Sequence, residues 1–199
     1  MNELRIIYVH GFASNGEGQK ATYLREYYRG KDTVIDSPTL DPDPRSAIDA
    51  LCRLVGGNLE RGPVVAIGNS LGGFYALVLN ARFGLPVFAI NPLLRANSLR
   101  RHIGANTNMV TGEAFEFTAQ HADILCELER EILKPSAAEV HVYLAKDDEL
   151  IPFADSLTRL PSSVDVSVYE DGGHRFSIFP AVFTSDIEPK IELYRQRQK

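Results

Sequence analysis

Cysteine is scarce in this chain, with only Cys52 and Cys126 in 199 residues. Both fall in helical patterns with no Cys or His at metal-ligand spacing, so they are expected as buried free thiols, which suits a reducing cytoplasm. Basic charge is not in excess either. Lys and Arg number 21 against 26 Asp and Glu, a formal net charge of −5, so no overall field exists to draw in nucleic acid. The short cluster Arg100-Arg101-His102 is expected to be solvated surface. No apolar run approaches the ~20 residues of a membrane span. The start, "MNELRIIYVHGF", has no basic leader, and its Leu4–Val9 run ends too early for a signal peptide and reads as a first strand. Repeats, low-complexity tracts and linkers are missing as well, so a single domain over residues 1–199 and a cytoplasmic location are the expectation.

What the chain does have is an ordinary globular composition, 44% hydrophobic and 24% charged, arranged in alternation. The β-branched runs "LRIIYVH", "TVIDSP", "PVVAIGN", "PVFAIN", "EVHVYLA" and "VDVSVYE" are separated by segments that mostly read as helices. Between Arg45 and Val55, the residues Ala47, Ile48, Leu51, Cys52, Leu54 and Val55 follow the three-four spacing of one buried face. Asp43 is placed to cap that helix, with Pro44 in its first turn. Phe74, Leu77 and Val78 give the next helix an inner face, and Gly84-Leu85-Pro86 ends it. This alternation predicts an α/β fold: six strands in a mainly parallel sheet with helices on both faces. The stretch from about residue 93 to 138 is too long for a simple crossover and is expected to form a small, largely helical cap. Within it, "TAQHADILCELEREIL" reads as a helix with Thr118 as its N-cap, and "ELEREILK" as that helix's solvent side.

The stretch "AIGNSLGG" carries the first chemical signal. Ser70 lies between the carboxyl end of a strand and a helix, flanked by Gly68 and Gly72 as G-x-S-x-G, where side chains would crowd the turn. Such a turn pushes the hydroxyl above the sheet and aims a helix amino terminus at the same point. A serine hydroxyl attacks well only when a base takes its proton and an acid orients that base. In this architecture the order along the chain is serine, acid, histidine. His10 precedes the serine and reads as a loop-fixing residue, His102 and His121 fall in the cap, and His141 is inside a strand. That leaves His174 in "EDGGHRF", where two glycines permit a close turn. Asp147, Asp148 and Glu149 compete for the acid. Asp148 is preferred because in "DELIP" a branched residue and a proline follow it, with Asp147 the main rival. Developing negative charge needs N–H donors, and the backbone amides of Leu71 and of Phe12 in "HGFASN" are the candidates.

These motifs, together with "YVHGF" and its following "KA", "INPLLR", the cap stretch "TGEAFEF" with His121 after it, "DDEL" and "GGHRF", resemble the YqiA/YcfP-like esterases, a bacterial family of small α/β-hydrolases. The resemblance covers nearly the whole chain. It implies the α/β-hydrolase fold, Ser70 as nucleophile, Asp148 as acid and His174 as base. It implies hydrolysis of carboxylic esters, with acyl-CoA thioesters the alternative substrate for the same site. Asn69 stands where family members often carry a small residue, and "DGGHRF" departs from the "GGNHAF" style. Arg95 matches an arginine of the family motif, and either steers an anionic substrate or forms an ion pair within the cap. Met109, Phe115 and Phe117 are read as apolar substrate-wall residues or as cap core. No metal or organic cofactor is expected. The expected partner is a small-molecule ester or thioester. A thioesterase proper or a carbon–carbon hydrolase would use the same three residues, and a hydrolase-like fold kept only for binding is the reading from a different class.

Overall fold

The computed structural model describes residues 3–132 and 139–198. Its first half alternates β1 (Leu4–Val9), α1 (Gln19–Tyr27), β2 (Thr33–Asp36), α2 (Pro44–Leu59), β3 (Val64–Asn69), α3 (Leu71–Phe83) and β4 (Val87–Ile90). A 3-10 turn (Ala96–His102), the short strands β5 (Gly104–Thr107) and β6 (Ala114–Phe117), and α4 (Ala119–Ile132) follow. The second half consists of β7 (Val140–Ala145), α5 (Phe153–Arg159), β8 (Asp165–Tyr169), α6 (Phe179–Val182), a π-helical turn (Phe183–Ile187) and α7 (Glu188–Arg197). The main sheet runs β2-β1-β3-β4-β7-β8, and every neighbouring pair is parallel. These are the six runs expected, each trimmed by a residue or two at its ends.

Period-two side chains divide the interior between two faces. On one, Ile7, Val9, Val64, Ala66, Val87, Ala89, Val142 and Leu144 pack under α2, α3 and α4. On the other, Ile6, Tyr8, Val65, Ile67, Phe88, Ile90 and Tyr143 pack under α1 and the carboxy-terminal helices, through Leu24, Phe179, Phe183, Ile187 and Ile191. The Val, Leu, Ile and Phe side chains among them each contribute ~1.5–3 kcal/mol when fully buried. The caps follow the sequence. Asp43 accepts the Arg45 N–H at 2.9 Å, and Gly84, at φ 66°, closes α3 in the left-handed region. Thr118 and His121 cap α4 reciprocally, the His121 N–H donating to Thr118 Oγ1 at 3.2 Å and the Thr118 N–H to the His121 ring at 3.3 Å.

The insertion after β4 differs from a purely helical cap. It contains the antiparallel β5–β6 hairpin, and α4 packs beside α2 and α3 in the layer covering the sheet. The reason is charge as much as apolarity. Glu127 pairs with Arg45 of α2 and Glu131 with Arg82 of α3. Glu129 takes the Ala96 N–H at 2.7 Å and pairs with Arg159 at 2.8 Å. The run read as a solvated face therefore faces neighbours at alternate positions, while Leu133 and Lys134, like the rest of 133–138, lie outside the described residues. The two cysteines are free but half-buried rather than buried; Cys52 accepts an Arg82 N–H at 3.3 Å. Among the described residues no helix is long and apolar enough to cross a membrane.

Candidate active site

Strand order reverses between β1 and β3: β1 connects outward to β2, whereas β3 continues toward β4 on the other side. Such a switch point opens a crevice outside the carboxyl ends of the strands. The loops after β1 and β3 meet there. Ser70 has φ 57° and ψ −121°, a strained conformation that exposes the hydroxyl. A methyl group at Gly68 would lie 2.2 Å from the Gly72 carbonyl oxygen, and one at Gly72 would lie 2.0 Å from the Val9 carbonyl oxygen. Glycine is therefore obligatory at both positions. Gly72→Ala is expected to lower stability by about 3 kcal/mol or more, because backbone rather than a flexible side chain must give way. Thermal unfolding measures this, and an unchanged midpoint contradicts it.

The three residues read as nucleophile, acid and base converge. The His174 ring lies 3.0 Å from Ser70 Oγ through Nε2, and 3.0 Å from both carboxylate oxygens of Asp148 through Nδ1. Asp148 is buried, and its Oδ1 also accepts the N–H groups of Leu150 and Ile151, each at 2.8 Å. These donors hold the carboxylate so that its remaining capacity faces the imidazole. The rivals bind the same loop at other points. Asp147 accepts the N–H groups of Gly172 and Gly173 at 3.2 and 2.7 Å, and Glu149 accepts the His174 N–H at 2.9 Å. That N–H is the main reason the Glu149 carboxyl is held below its ordinary range. Gly173 turns the loop at φ 60°. The roles of Asp147 and Glu149 as loop anchors escaped the sequence reading, which treated all three acids as competitors for one position.

Opposite the serine, the β1 loop is fixed by His10. Its Nδ1 donates to the Gly11 carbonyl at 2.9 Å and its Nε2 accepts the Leu40 N–H at 3.0 Å, which selects the neutral tautomer. Burial pushes its pKa down in agreement. Gly11 rests against Ser70, and a methyl group there would lie 3.4 Å from Ser70 Cβ. Phe12 is anchored by ring contacts with His102, Phe115 and Phe117 at centroid distances of 5.2–5.6 Å. A cavity of about 50 Å³ opens beside Leu71 and Phe12 and is also lined by Leu40, Pro42, Tyr75 and Phe115. Of the three side chains expected on a substrate wall, Phe115 lines this cavity. Phe117 is 1% exposed and belongs to the core, while Met109 is 70% exposed at the hairpin turn. Arg95 is exposed, and His121 is occupied in capping α4. His141 stacks on Phe88 at 5.0 Å and meets Asp165 at 2.8 Å, a sheet-face position away from the crevice. Among the described residues no group of His, Cys, Asp and Glu is arranged to hold a metal ion.

Solved structures with this architecture include Est1E from Butyrivibrio proteoclasticus, at 12% identity and TM-score 0.72, covering 98% of this chain and 87% of that one. The mouse alpha/beta hydrolase domain-containing protein 10 aligns at 17% identity and TM-score 0.69, covering 93% and 90%. The esterase domain of a Rhodothermus marinus protein aligns at 16% identity and TM-score 0.68, covering 92% and 84%. At such identities the likeness establishes the α/β-hydrolase fold. A family model described as "Uncharacterised protein family (UPF0227)" matches residues 5–188, which is most of the chain. The chain therefore belongs to UPF0227, the YqiA/YcfP family expected from its motifs.

Proposed function

We propose that this protein is a serine esterase that hydrolyses carboxylic esters through an acyl-enzyme, a route equally open to acyl-CoA thioesters. The observation that carries the reading is the continuous hydrogen-bonded line from Asp148 through the His174 ring to Ser70 Oγ, with 3.0 Å at each link. In that line, Nδ1–H donates to the buried carboxylate and Nε2 is left with its lone pair toward the serine hydroxyl. Ser70 Oγ attacks the ester carbonyl carbon as its proton passes to Nε2. The oxyanion formed is held by the N–H groups of Phe12 and Leu71. Collapse breaks the bond to the alcohol or thiol, which leaves with the proton from Nε2. Water then attacks the acyl-enzyme, gives its proton to the same nitrogen, and the acid departs as Ser70 regains its hydrogen.

The Rhodothermus marinus neighbour, described as an esterase domain, supports the same class of chemistry. The small cavity beside Leu71 and Phe12 suits one arm of the substrate. The two free cysteines fit a reducing, cytoplasmic setting. Covalent labelling tests the proposal. A fluorophosphonate probe is expected to modify Ser70 and no other serine, mapped by peptide mass spectrometry, and to do so more slowly once His174 is replaced. A folded protein left unlabelled would instead be a binding module that keeps the turn for architectural reasons.

A further inference from the structure

The reaction just described leaves Asn91 unused, although this polar residue is only 2% exposed. It follows β4 with φ 40°, in the left-handed region that asparagine visits more readily than most side chains. Its amide joins two loops. Oδ1 accepts the Ala145 N–H at 2.9 Å, where the chain leaves β7 for the acid-bearing turn. Nδ2 donates to the carbonyls of Gly173 at 3.0 Å and His174 at 3.3 Å, in the base-bearing loop. Its backbone N–H donates to the Tyr143 carbonyl at 2.8 Å. Residues on either side hold the serine: the Ser70 N–H donates to the Ile90 carbonyl at 2.9 Å, and the Leu93 N–H donates to the Ser70 carbonyl at 3.1 Å. The turn after β4 thus touches the segments carrying the hydroxyl, the carboxylate and the imidazole.

We infer that Asn91 is a positioning residue for proton transfer, setting the imidazole relative to Asp148 and Ser70 through its contacts with the two loops. The inference rests on the esterase reading. The role requires an acceptor on one arm and a donor on the other. An aspartate would set a second oxygen against two carbonyl oxygens, whereas glycine would satisfy the φ angle but supply no amide. Misplacement of a reacting group by about 1 Å costs on the order of 100-fold in rate.

The test compares wild type with N91G and N91D, measuring kcat and KM for an activated ester and the low-field Nδ1–H proton resonance of His174 by NMR. Both variants are expected to lose about 10- to 100-fold in kcat, with KM little changed. The imidazole resonance is expected to shift or broaden in both. A resonance unchanged from wild type in both variants overturns the inference, whatever happens to turnover, because the ring would then be held without Asn91. N91D, nearly isosteric with the native residue, supplies the reading if N91G does not fold. A wild-type protein that neither turns over esters nor takes the fluorophosphonate sinks the esterase reading and with it the proton-transfer role, whereas the resonance reports separately whether Asn91 holds the ring.

Discussion

Ser70→Ala is expected to lower kcat for an activated ester by roughly 10⁶-fold while leaving the fold intact, because the imidazole and carboxylate have nothing to activate once the hydroxyl is gone. The residual rate should still exceed that of the uncatalysed reaction by about 10³-fold, since the proposed amide donors of Phe12 and Leu71 remain. Alanine keeps only Cβ at a backbone whose φ is 57°, so the strain persists and no new contact is introduced. Turnover by the variant at the wild-type rate would falsify the assignment of Ser70 as nucleophile.

The next largest effect separates the neighbouring aspartates. Asp148→Asn should retain Oδ1 as the acceptor for the Leu150 and Ile151 N–H groups, and so keep its turn. Its new NH₂ would donate toward His174 Nδ1, however, which forces the ring proton onto Nε2, facing the serine. The wrong tautomer cannot take the serine proton, and a loss of about 10⁴-fold in kcat follows. Asp147→Ala removes two hydrogen bonds to the glycines of the histidine loop but no partner of the ring. Its expected cost is about tenfold, in the range of a loosened support. Steady-state kinetics of both variants decide the matter. A larger loss at Asp147 than at Asp148 would reverse the assignment.

Most of this arrangement was legible in the sequence, for identifiable physical reasons. Strand and helix periods differ, so the six parallel strands emerge from apolar spacing alone. The G-x-S-x-G turn is legible because steric crowding leaves few alternatives at Gly68 and Gly72. The order of serine, acid and histidine left His174 alone after the last strand. The β5–β6 hairpin was not legible: "GANT" and "AFEF" are four residues each and half exposed, too short for alternation to stand out. Nor was the pairing of Glu127, Glu129 and Glu131, since a charge run on a helix gives the same pattern whether it meets water or arginines. Asn91 did have a signal. Asparagine directly after a strand tolerates a left-handed turn, but Pro92 after it favours extended backbone, which masks the signal. Nothing in the sequence reveals the two loops that its amide spans.

The walls of the small cavity and the hydrogen-bonded line of Asp148, His174 and Ser70 meet at α3, which begins directly after Ser70, and otherwise come from separate lengths of chain. The walls come from the loop after β1, from residues 40–42, from Leu71 and Tyr75 of α3, and from the hairpin, which is tied to that first loop by the Met109 N–H on the Ala13 carbonyl and by the Asn108 amide on the Ser14 carbonyl, both at 2.8 Å. Asp148 and His174 come from turns after β7 and β8, on the far side of the serine. If the proposed chemistry holds, exchanges at the hairpin would reshape the cavity while Ser70, His174 and Asp148 stay in register, so one scaffold would serve molecules of different shape without its chemistry being rebuilt.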